Sequence, residues 1–497
     1  MMYGREDSDS AIVASKSANK VEGATAEPME RRVEAEGKAI TSATCRTQGR
    51  ESVSPGLDRL RQAVREHRKE KLTALLHHVD VDLLTKAYHS LKRGAAVGVD
   101  GVTWEAYGEG LQAKLTDLHA RVRSGAYRAQ PTRRRMIPKP DGRERPLGIT
   151  SLEDKIVQRA LVEILNIIYE PEFLGFSYGF RPGRNQHDAL DALWYGINKT
   201  SVNWILDADI RAFFDTVDHE WLMRFVEYRI GDQRVLRLIR KWLKAGVMQD
   251  GILTATEVGS PQGSVISPML SNIYLHYAFD LWAHQWRQRS GCEHMIIVRY
   301  ADDIVCGFKH ERDAKTFLAE FKERMERFVL SLHPEKTRLV EFGRFAAKDR
   351  AKRGAGKPET FAFLGFTHIC GQDRHGRFLL ERRTRRDRMR SKLKAIKLQL
   401  RRKMHASIPE QGRWLGRIVR GYFAYHAIPT NTRALSTFRY FVTEAWRRTL
   451  DHRSQRAGVT WEMMTRLARQ WLPMARISHP WPGDRFTVKH PRWEPSA

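Results

Sequence analysis

Two short stretches hold carboxylates where carboxylates can do chemistry. The first, Trp204-Ile205-Leu206-Asp207-Ala208-Asp209-Ile210, is an apolar run that ends in acid. The second lies roughly ninety residues later: Tyr300-Ala301-Asp302-Asp303, with Ile296-Ile297-Val298 before it and Ile304-Val305-Cys306 after it. Two apolar runs around a polar tetrad predict a β-hairpin with adjacent acids at its tip. Alone, such a pair is ordinary turn chemistry. A third carboxylate at a strand end changes the reading. Hard Mg²⁺ ions take carboxylate oxygens, and two ions roughly 3.5 to 4 Å apart clamp the attacking and leaving oxygens of an in-line phosphoryl displacement. Asp209, Asp302 and Asp303 are the candidate catalytic and metal-ligating set, with two Mg²⁺ ions expected and Mn²⁺ as a substitute. Asp207, on the same strand face, and Asp215 compete for the third place.

The elements around these acids divide the chain. Residues 1–54 are rich in Ser, Ala, Glu, Lys and Thr without apolar periodicity, and are expected to be a disordered leader. Helical spacing begins at Leu57, Leu60 and Val64, and from Asp100 to Phe366 helical stretches alternate with short β-like runs. Past Leu380 the β signals vanish. Glu381 to His405 holds twelve Lys or Arg against two acids, with Met389, Leu393, Ile396 and Leu400 on one helical face. The expected units are therefore 1–54, a mixed unit over 55–370, a helical unit over 371–475 and a short basic, proline-rich tail over 476–497.

Composition narrows the partners. Across 497 residues, 86 Lys and Arg against 58 Asp and Glu give a net charge of +28, the footprint of a protein that works on phosphate backbones. No apolar run approaches the roughly 18 to 20 residues that a bilayer demands, so no membrane partner is expected. Four scattered cysteines form no C-x-x-C pair and point to neither a zinc ribbon nor a disulfide framework. Glu6, Asp7 and Asp9 with no apolar stretch after them do not make a secretory signal, and a cytoplasmic, nucleoid- or RNA-associated location is expected.

The acidic stretches also stand in an order that resembles a known family. Asp209 with Phe213-Phe214-Asp215, then Tyr300-Ala301-Asp302-Asp303, are similar to the third and fifth sequence blocks of reverse transcriptases. Gly98-Val99-Asp100-Gly101 resembles the block that opens the fingers in the non-retroviral branch. Ile137-Pro138-Lys139 through Arg145-Pro146-Leu147-Gly148-Ile149 resembles the first finger block, and Tyr178-Gly179-Phe180-Arg181-Pro182-Gly183-Arg184 the second. Ser260-Pro261-Gln262-Gly263 with Ser267-Pro268 is similar to the fourth, His333-Pro334-Glu335-Lys336-Thr337 to the sixth, and Phe363-Leu364-Gly365-Phe366 to the seventh.

The resemblance implies an α+β right-hand polymerase: fingers and palm, with an antiparallel palm sheet packed on helices, followed by an all-helical thumb or maturase domain. It implies Asp209, rather than Asp207 or Asp215, as the partner of the hairpin acids. Lys139 and Arg145 would grip the incoming nucleotide by charge-assisted hydrogen bonds; a solvated basic hairpin is the plainer reading. Phe214 would be a gate against a ribose 2′-hydroxyl, or simply core. Gln262 and Gly263 would set a turn against the template base and nucleotide. Arg133, Arg134 and Arg135 read as template-backbone contacts, and Lys336 as an aid to primer or triphosphate or as a helix cap.

Further on, Arg420-Gly421-Tyr422-Phe423-Ala424-Tyr425, Trp446-Arg447-Arg448 and Thr460-Trp461 interleave aromatics with guanidinium groups, as surfaces for structured RNA do. Trp414, Leu415, Ile418 and Tyr422 have core spacing, so Arg385, Arg386, Arg388, Arg390, Arg447 and Arg448 carry the RNA-binding expectation. The stretch is similar to the maturase domain of group II intron-encoded proteins. That resemblance implies an RNA-directed DNA polymerase that also binds its intron RNA to promote splicing. Its partners would be an RNA template with a DNA primer, deoxynucleoside triphosphates, target DNA and, as an open state, a second copy in a homodimer. With no His and Cys pairs after Pro480-Trp481-Pro482, the chain resembles members that lack an endonuclease domain. The alternatives are a splicing-only RNA-binding cofactor and a reverse transcriptase of another retroelement or defence system.

Overall fold

A strand covered on both faces is apolar throughout, whereas one with a wet face alternates. The runs that end in acid are of the first kind. In the computed structural model, which describes residues 55–489 apart from 69, 139–143, 250–251, 255–258, 260–262, 293 and 454–457, the described strands form three sheets. The expected leader, Lys139 and Gln262 lie outside the described residues. One sheet joins β1 (Thr132–Pro138), β2 (Glu144–Ile149), β4 (Val247–Gln249) and β5 (Ile252–Thr254) in the order β2-β1-β4-β5. The second joins β3 (Trp204–Asp209), β6 (Ile296–Tyr300), β7 (Asp303–Phe308) and β8 (Arg338–Glu341) as β6-β7-β3-β8, antiparallel throughout. The third joins β9 (Phe361–Phe363), β10 (Phe366–Gln372) and β11 (Phe378–Thr384) as β11-β10-β9.

The second sheet is the floor on which the acids stand. Leu206, Ala208, Ile297, Ile304 and Cys306 enter a core shared with the helices Leu152–Tyr169, Ser267–Leu275 and Glu311–Arg327. Ile205, Ile296, Val298 and Val305 point the other way, into a core with the helix Gln186–Lys199 and the third sheet. An antiparallel palm sheet packed on helices, the expected α+β class, is what the chain forms.

The expected boundary at 370/371 needs correction. It falls inside β10, and β11 continues to Thr384, so the helical part starts with Arg386–Arg402. Arg382 and Arg383, which read as the start of a basic helix, lie in β11, where Arg382 is buried and faces Asp191 at 3.6 Å. After β11 come the helices Arg386–Arg402, Ile408–His426, Thr432–Asp451 and Trp461–Trp471 around a core of Ile396, Leu400, Leu415, Val419, Phe438 and Trp446. Met389, Leu393, Trp414 and Ile418 pack half-buried against it, as their spacing predicts. No helix among the described residues is long and apolar enough to cross a membrane.

The segment expected to be a tail is in part a fastening. Its helix Pro482–Lys489 lies on Gln186–Lys199, with Phe486 stacked on Tyr195 at 4.3 Å between ring centroids. Arg485 grips the buried Asp191 carboxylate through two nitrogens, and Arg382 reaches the same carboxylate from β11. Three separate elements thus meet on one buried acid. Asp191→Ala leaves the buried Arg382 without its counter-charge, and a loss of about 3–5 kcal/mol in urea unfolding is expected. Arg485→Ala, at a more exposed partner, is expected to cost less; equal, negligible losses would show that the clasp holds nothing.

Candidate active site

Asp209 ends β3 and Asp303 begins β7, and the register sets them directly opposite each other. Asp302 sits beside Asp303 in the two-residue loop between β6 and β7. The three expected acids are therefore brought together by pairing of strands far apart in sequence. They line a cavity of about 540 Å³ with Asp215, Phe214, Pro146, Lys336 and Arg388. Asp215 enters from the short helix Phe213–Thr216, so a fourth carboxylate shares the space. Asp207 stands two residues back along β3, opposite Val305 and Arg338.

So many acids in one place repel one another. Asp303 has open surface as a residue, yet its carboxylate is crowded by the cleft walls. Burial, then Asp302 and Asp209, push its carboxyl up to about 7, against the pull of Arg388 and Lys336. Asp207 is likewise raised to about 7, chiefly by burial, with Arg338 opposing. Lys336 answers part of this charge: its ammonium forms an ion pair with the Asp209 carboxylate. The helix-cap reading of Lys336 gives way to that contact. The same loop is tied to β3 by its backbone, since His333 N–H donates to the Asp209 carbonyl at 2.8 Å.

The donor set fits a hard divalent cation in type, being all carboxylate oxygen, and Asp303 within it has its proton affinity raised by burial and then by its acidic neighbours. As the side chains stand, no three acidic, imidazole or thiol groups among the described residues are gathered tightly enough to grip an ion. The Asp209 carboxylate is turned to Lys336 instead.

What aims the hairpin is a residue that the motif reading passes over. Arg299 is fully buried on β6, and each of its five N–H donors has an acceptor. Nε and Nη2 donate to the two oxygens of buried Asp280, both at 2.6 Å; Nη2 also donates to Ser177 Oγ at 2.7 Å. Nη1 donates to Asn272 Oδ1 and to the Ala301 carbonyl, both at 3.1 Å. Ala301 is held at φ +57°, a conformation that L residues rarely adopt, immediately before Asp302. Asp280 is presented by a π-helical turn, His276–Asp280, between Ser267–Leu275 and Leu281–Arg289. The available signal is an Arg inside the apolar strand Ile296-Ile297-Val298-Arg299.

The second finger block closes on the same hairpin. Tyr178 N–H donates to the Arg299 carbonyl at 2.8 Å, and Asn272 Nδ2 donates to the Gly179 carbonyl at 2.7 Å. A Cβ on Gly179 would stand 2.3 Å from the Ala301 nitrogen, so only glycine lets the loop lie against the tip. Arg181 and Arg184 bind within the protein: Arg181 binds Glu170 in bidentate fashion at 2.9 and 3.0 Å, and Arg184 binds the Ser177 carbonyl at 3.1 Å.

The expected nucleotide-side residues fall in different places. Phe214 is half-buried, packed on the core and also in the cavity wall. Gly263 has φ +113°, and a Cβ there would meet the Gly148 carbonyl oxygen at 2.6 Å, so Gly263 itself lies close against β2. Arg145 lies on β2 opposite Ile137, next to Pro146, which reaches the cavity. Arg133, Arg134 and Arg135 lie on β1, opposite Ile149, Gly148 and Leu147. Of the expected RNA-binding cations, Arg388 is brought into the carboxylate cavity, while Arg386 and Arg390, two residues to either side of it on the same helix, are exposed. Arg385 pairs with Asp387 at 2.6 Å, and Arg448 pairs with Glu444.

A palm sheet with facing acids, a finger sheet above it and a helical unit whose first helix reaches the same cavity define a right-hand nucleotide polymerase in class. Residues 137–368 match reverse transcriptase (RNA-dependent DNA polymerase). The chain is 41% identical to the protein YkfC of Escherichia coli K12 over 199 residues, 39% of this chain and 52% of that one. It is 34% identical to the group II intron-encoded protein LtrA of Lactococcus lactis over 222 residues, 44% of this chain and 37% of LtrA. A shorter match, 33% over 92 residues, is to nuclear intron maturase 1, mitochondrial, of Arabidopsis thaliana, and covers 18% of this chain and 13% of that one. These matches span about half or less of the length of the relatives. The domain over 137–368 belongs to the reverse transcriptases.

The close approach at Gly179 is open to test. Gly179→Ala is expected to force the loop off the hairpin and cost about 1–3 kcal/mol in urea unfolding. Gly421→Ala, at a helical glycine with open space around it, is expected to be neutral or stabilising by about 0.5–1 kcal/mol. A neutral Gly179→Ala would mean that the loop does not support the tip.

Proposed function

We propose that the chain is an RNA-directed DNA polymerase that also binds its group II intron RNA to promote splicing, and that it supports intron mobility by reverse transcription primed at target DNA. The observation that carries the reading is the cavity itself, where Asp209, Asp302 and Asp303 meet finger residue Pro146 and helix residue Arg388. Its substrates would be deoxynucleoside triphosphates on an RNA template with a DNA primer.

Asp209, Asp302 and Asp303 would hold two Mg²⁺ ions, or Mn²⁺ in their place. Bound there, the ions would activate the primer 3′-hydroxyl and neutralise charge on the triphosphate. Lys336 neutralises Asp209 while no ion is bound. The ring of Phe214 would bar a ribose 2′-hydroxyl, and Lys139 and Arg145 would bind the triphosphate from the fingers. Gln262 and Gly263 would support the template base, and Arg133, Arg134 and Arg135 its backbone. Arg388 brings a further cation to the cavity from the first helix after β11. The exposed Arg386 and Arg390, with Arg385, Arg447 and Arg448, would bind intron RNA through phosphates. Association with RNA or the nucleoid in the cytoplasm, and a homodimer, accord with this reading.

Primer extension on an RNA template with deoxynucleotides and Mg²⁺ tests it. The wild type is expected to extend the primer, and Asp302→Ala and Asp209→Ala to give no product while still binding intron RNA. Synthesis by either variant would overturn the site; splicing without any wild-type synthesis would leave an RNA-binding cofactor. Phe214→Val is expected to raise incorporation of ribonucleotides relative to deoxynucleotides, read on the same template. Neutralising Arg386 and Arg390 together is expected to lower the slope of log affinity against log salt by about 0.7–0.9 for each phosphate that the protein no longer neutralises.

A further inference from the structure

Large exposed aromatics are scattered singly on most proteins, and one alone calls for no explanation. The C-terminal helices present a group. Tyr440, on Thr432–Asp451, and Trp461, which opens Trp461–Trp471, are 53% and 44% exposed. Their rings lie parallel within 10°, with centroids 5.7 Å apart. Phe441 and Met463 beside them in sequence are also exposed, at 38% and 50%. The Arg447 guanidinium lies over the Trp461 ring, 5.3 Å from its centroid. Two helices have thus set a partly exposed, parallel-stacked aromatic pair in water, with a cation over one of its rings, outside the carboxylate cavity.

We infer that Tyr440 and Trp461 form a stacking platform for an unpaired nucleobase of structured RNA, with Arg447 drawing the adjoining phosphate. The inference rests on the RNA-binding reading of these helices and names the part of the RNA that they take. The exposed part of such a pair offers a planar ligand a π face on which to extend the stack. Base–aromatic stacking tolerates any base because every base has a π face. Paired bases inside a duplex have their faces covered by their neighbours, so the platform selects bulges, loops and ends. Charge complementarity points the same way: the chain carries +28, and the platform is bordered by a guanidinium.

The test uses the full chain and two RNA hairpins of equal length, one fully paired and one with a single bulged 2-aminopurine. On the wild type, the bulged probe is expected to bind more tightly and lose fluorescence as its base stacks. Tyr440→Ala and Trp461→Ala are expected to weaken the bulged probe on the order of tenfold, abolish the quenching and leave the paired probe unaffected. Tyr440→Phe is expected to retain both effects. The salt slope of Tyr440→Ala is expected to stay at the wild-type value, because its ring neutralises no phosphate, whereas Arg447→Gln lowers it. Unchanged circular dichroism separates these effects from unfolding. Unaltered binding and quenching in Tyr440→Ala, with both probes bound, would overturn the platform and leave RNA binding standing. Failure of the wild type to bind either probe would overturn both. Loss of a wild-type dimer in Tyr440→Ala, with RNA binding intact, would make the surface a contact between copies of the chain and overturn the inference.

Discussion

The geometry of the carboxylate cavity depends on the buried ion pair between Arg299 and Asp280. Taking two charges out of water costs several kcal/mol for each ion, and their attraction offsets this only when the geometry is good and the remaining donors are satisfied. Here the guanidinium fork meets the carboxylate in bidentate fashion, and its other N–H groups go to Ser177, Asn272 and Ala301. An apolar side chain could fill the volume. It could not hold the Ala301 carbonyl, and with it the positive-φ turn that sets the direction of Asp302. The pair is therefore best understood as a device for orientation.

From this pair the rest of the core can be followed outwards. Asp280 needs the π-helical turn to reach Arg299, and Asn272, on the helix before it, binds both Arg299 and the Gly179 carbonyl. The second finger block is held against the hairpin by that asparagine and by the missing Cβ of Gly179. A separate constraint governs the helical unit. Leu364 and Gly365, at φ +46° and +83°, make the two-residue turn between β9 and β10. Tyr425 Oη donates to the Leu364 carbonyl at 2.7 Å, and Arg385 N–H donates to the Gly365 carbonyl at 3.1 Å. The seventh block thus works as a seat for the helices that follow it, and the clasp on Asp191 secures them from the other end. Arg388 reaches the cavity because the first of those helices is fixed so close to the turn.

The acids are readable in the sequence because an apolar run that ends in Asp is unusual, and their partnership is readable because the blocks stand in family order. Strand identity and the helix faces of the C-terminal unit follow from periodicity. What escapes such reading are charges whose partners are remote. Arg299 meets Asp280, Asn272 and Ser177, which lie 19, 27 and 122 residues away. Arg382 reads as the start of a basic helix because Arg in a strand has no local justification. Its justification is Asp191, on another element. The boundary at 370/371 falls inside β10 because strand pairing carries the sheet on to Thr384, past the point where apolar spacing still marks strands. Spacing assigns Arg388 correctly to a helix and to a charge class, but which cations face the palm is decided by packing, which one-dimensional spacing does not contain.

The arrangement of charge in the cavity also bears on what can be bound there. Four carboxylates in about 540 Å³ cannot all stay ionised and uncompensated. Two responses are visible: Asp303 is pushed up to about 7, and Asp209 takes the ammonium of Lys336. Both are ways of adding positive charge, one by proton and one by side chain. A site built only for stability would replace such acids with apolar residues, since repulsion between them yields nothing to the fold. The strain is instead maintained by the register of β3 against β7 and by the orientation that Arg299 imposes on the tip. It is relieved most fully by a small, multiply charged cation with oxygen preference. Of these two, the Lys336 ammonium is the charge that the fold itself supplies to the acids. It comes from the loop of residues 333–337, which is joined through its backbone to the end of β3, so the charge balance of the cavity is tied to the position of that loop.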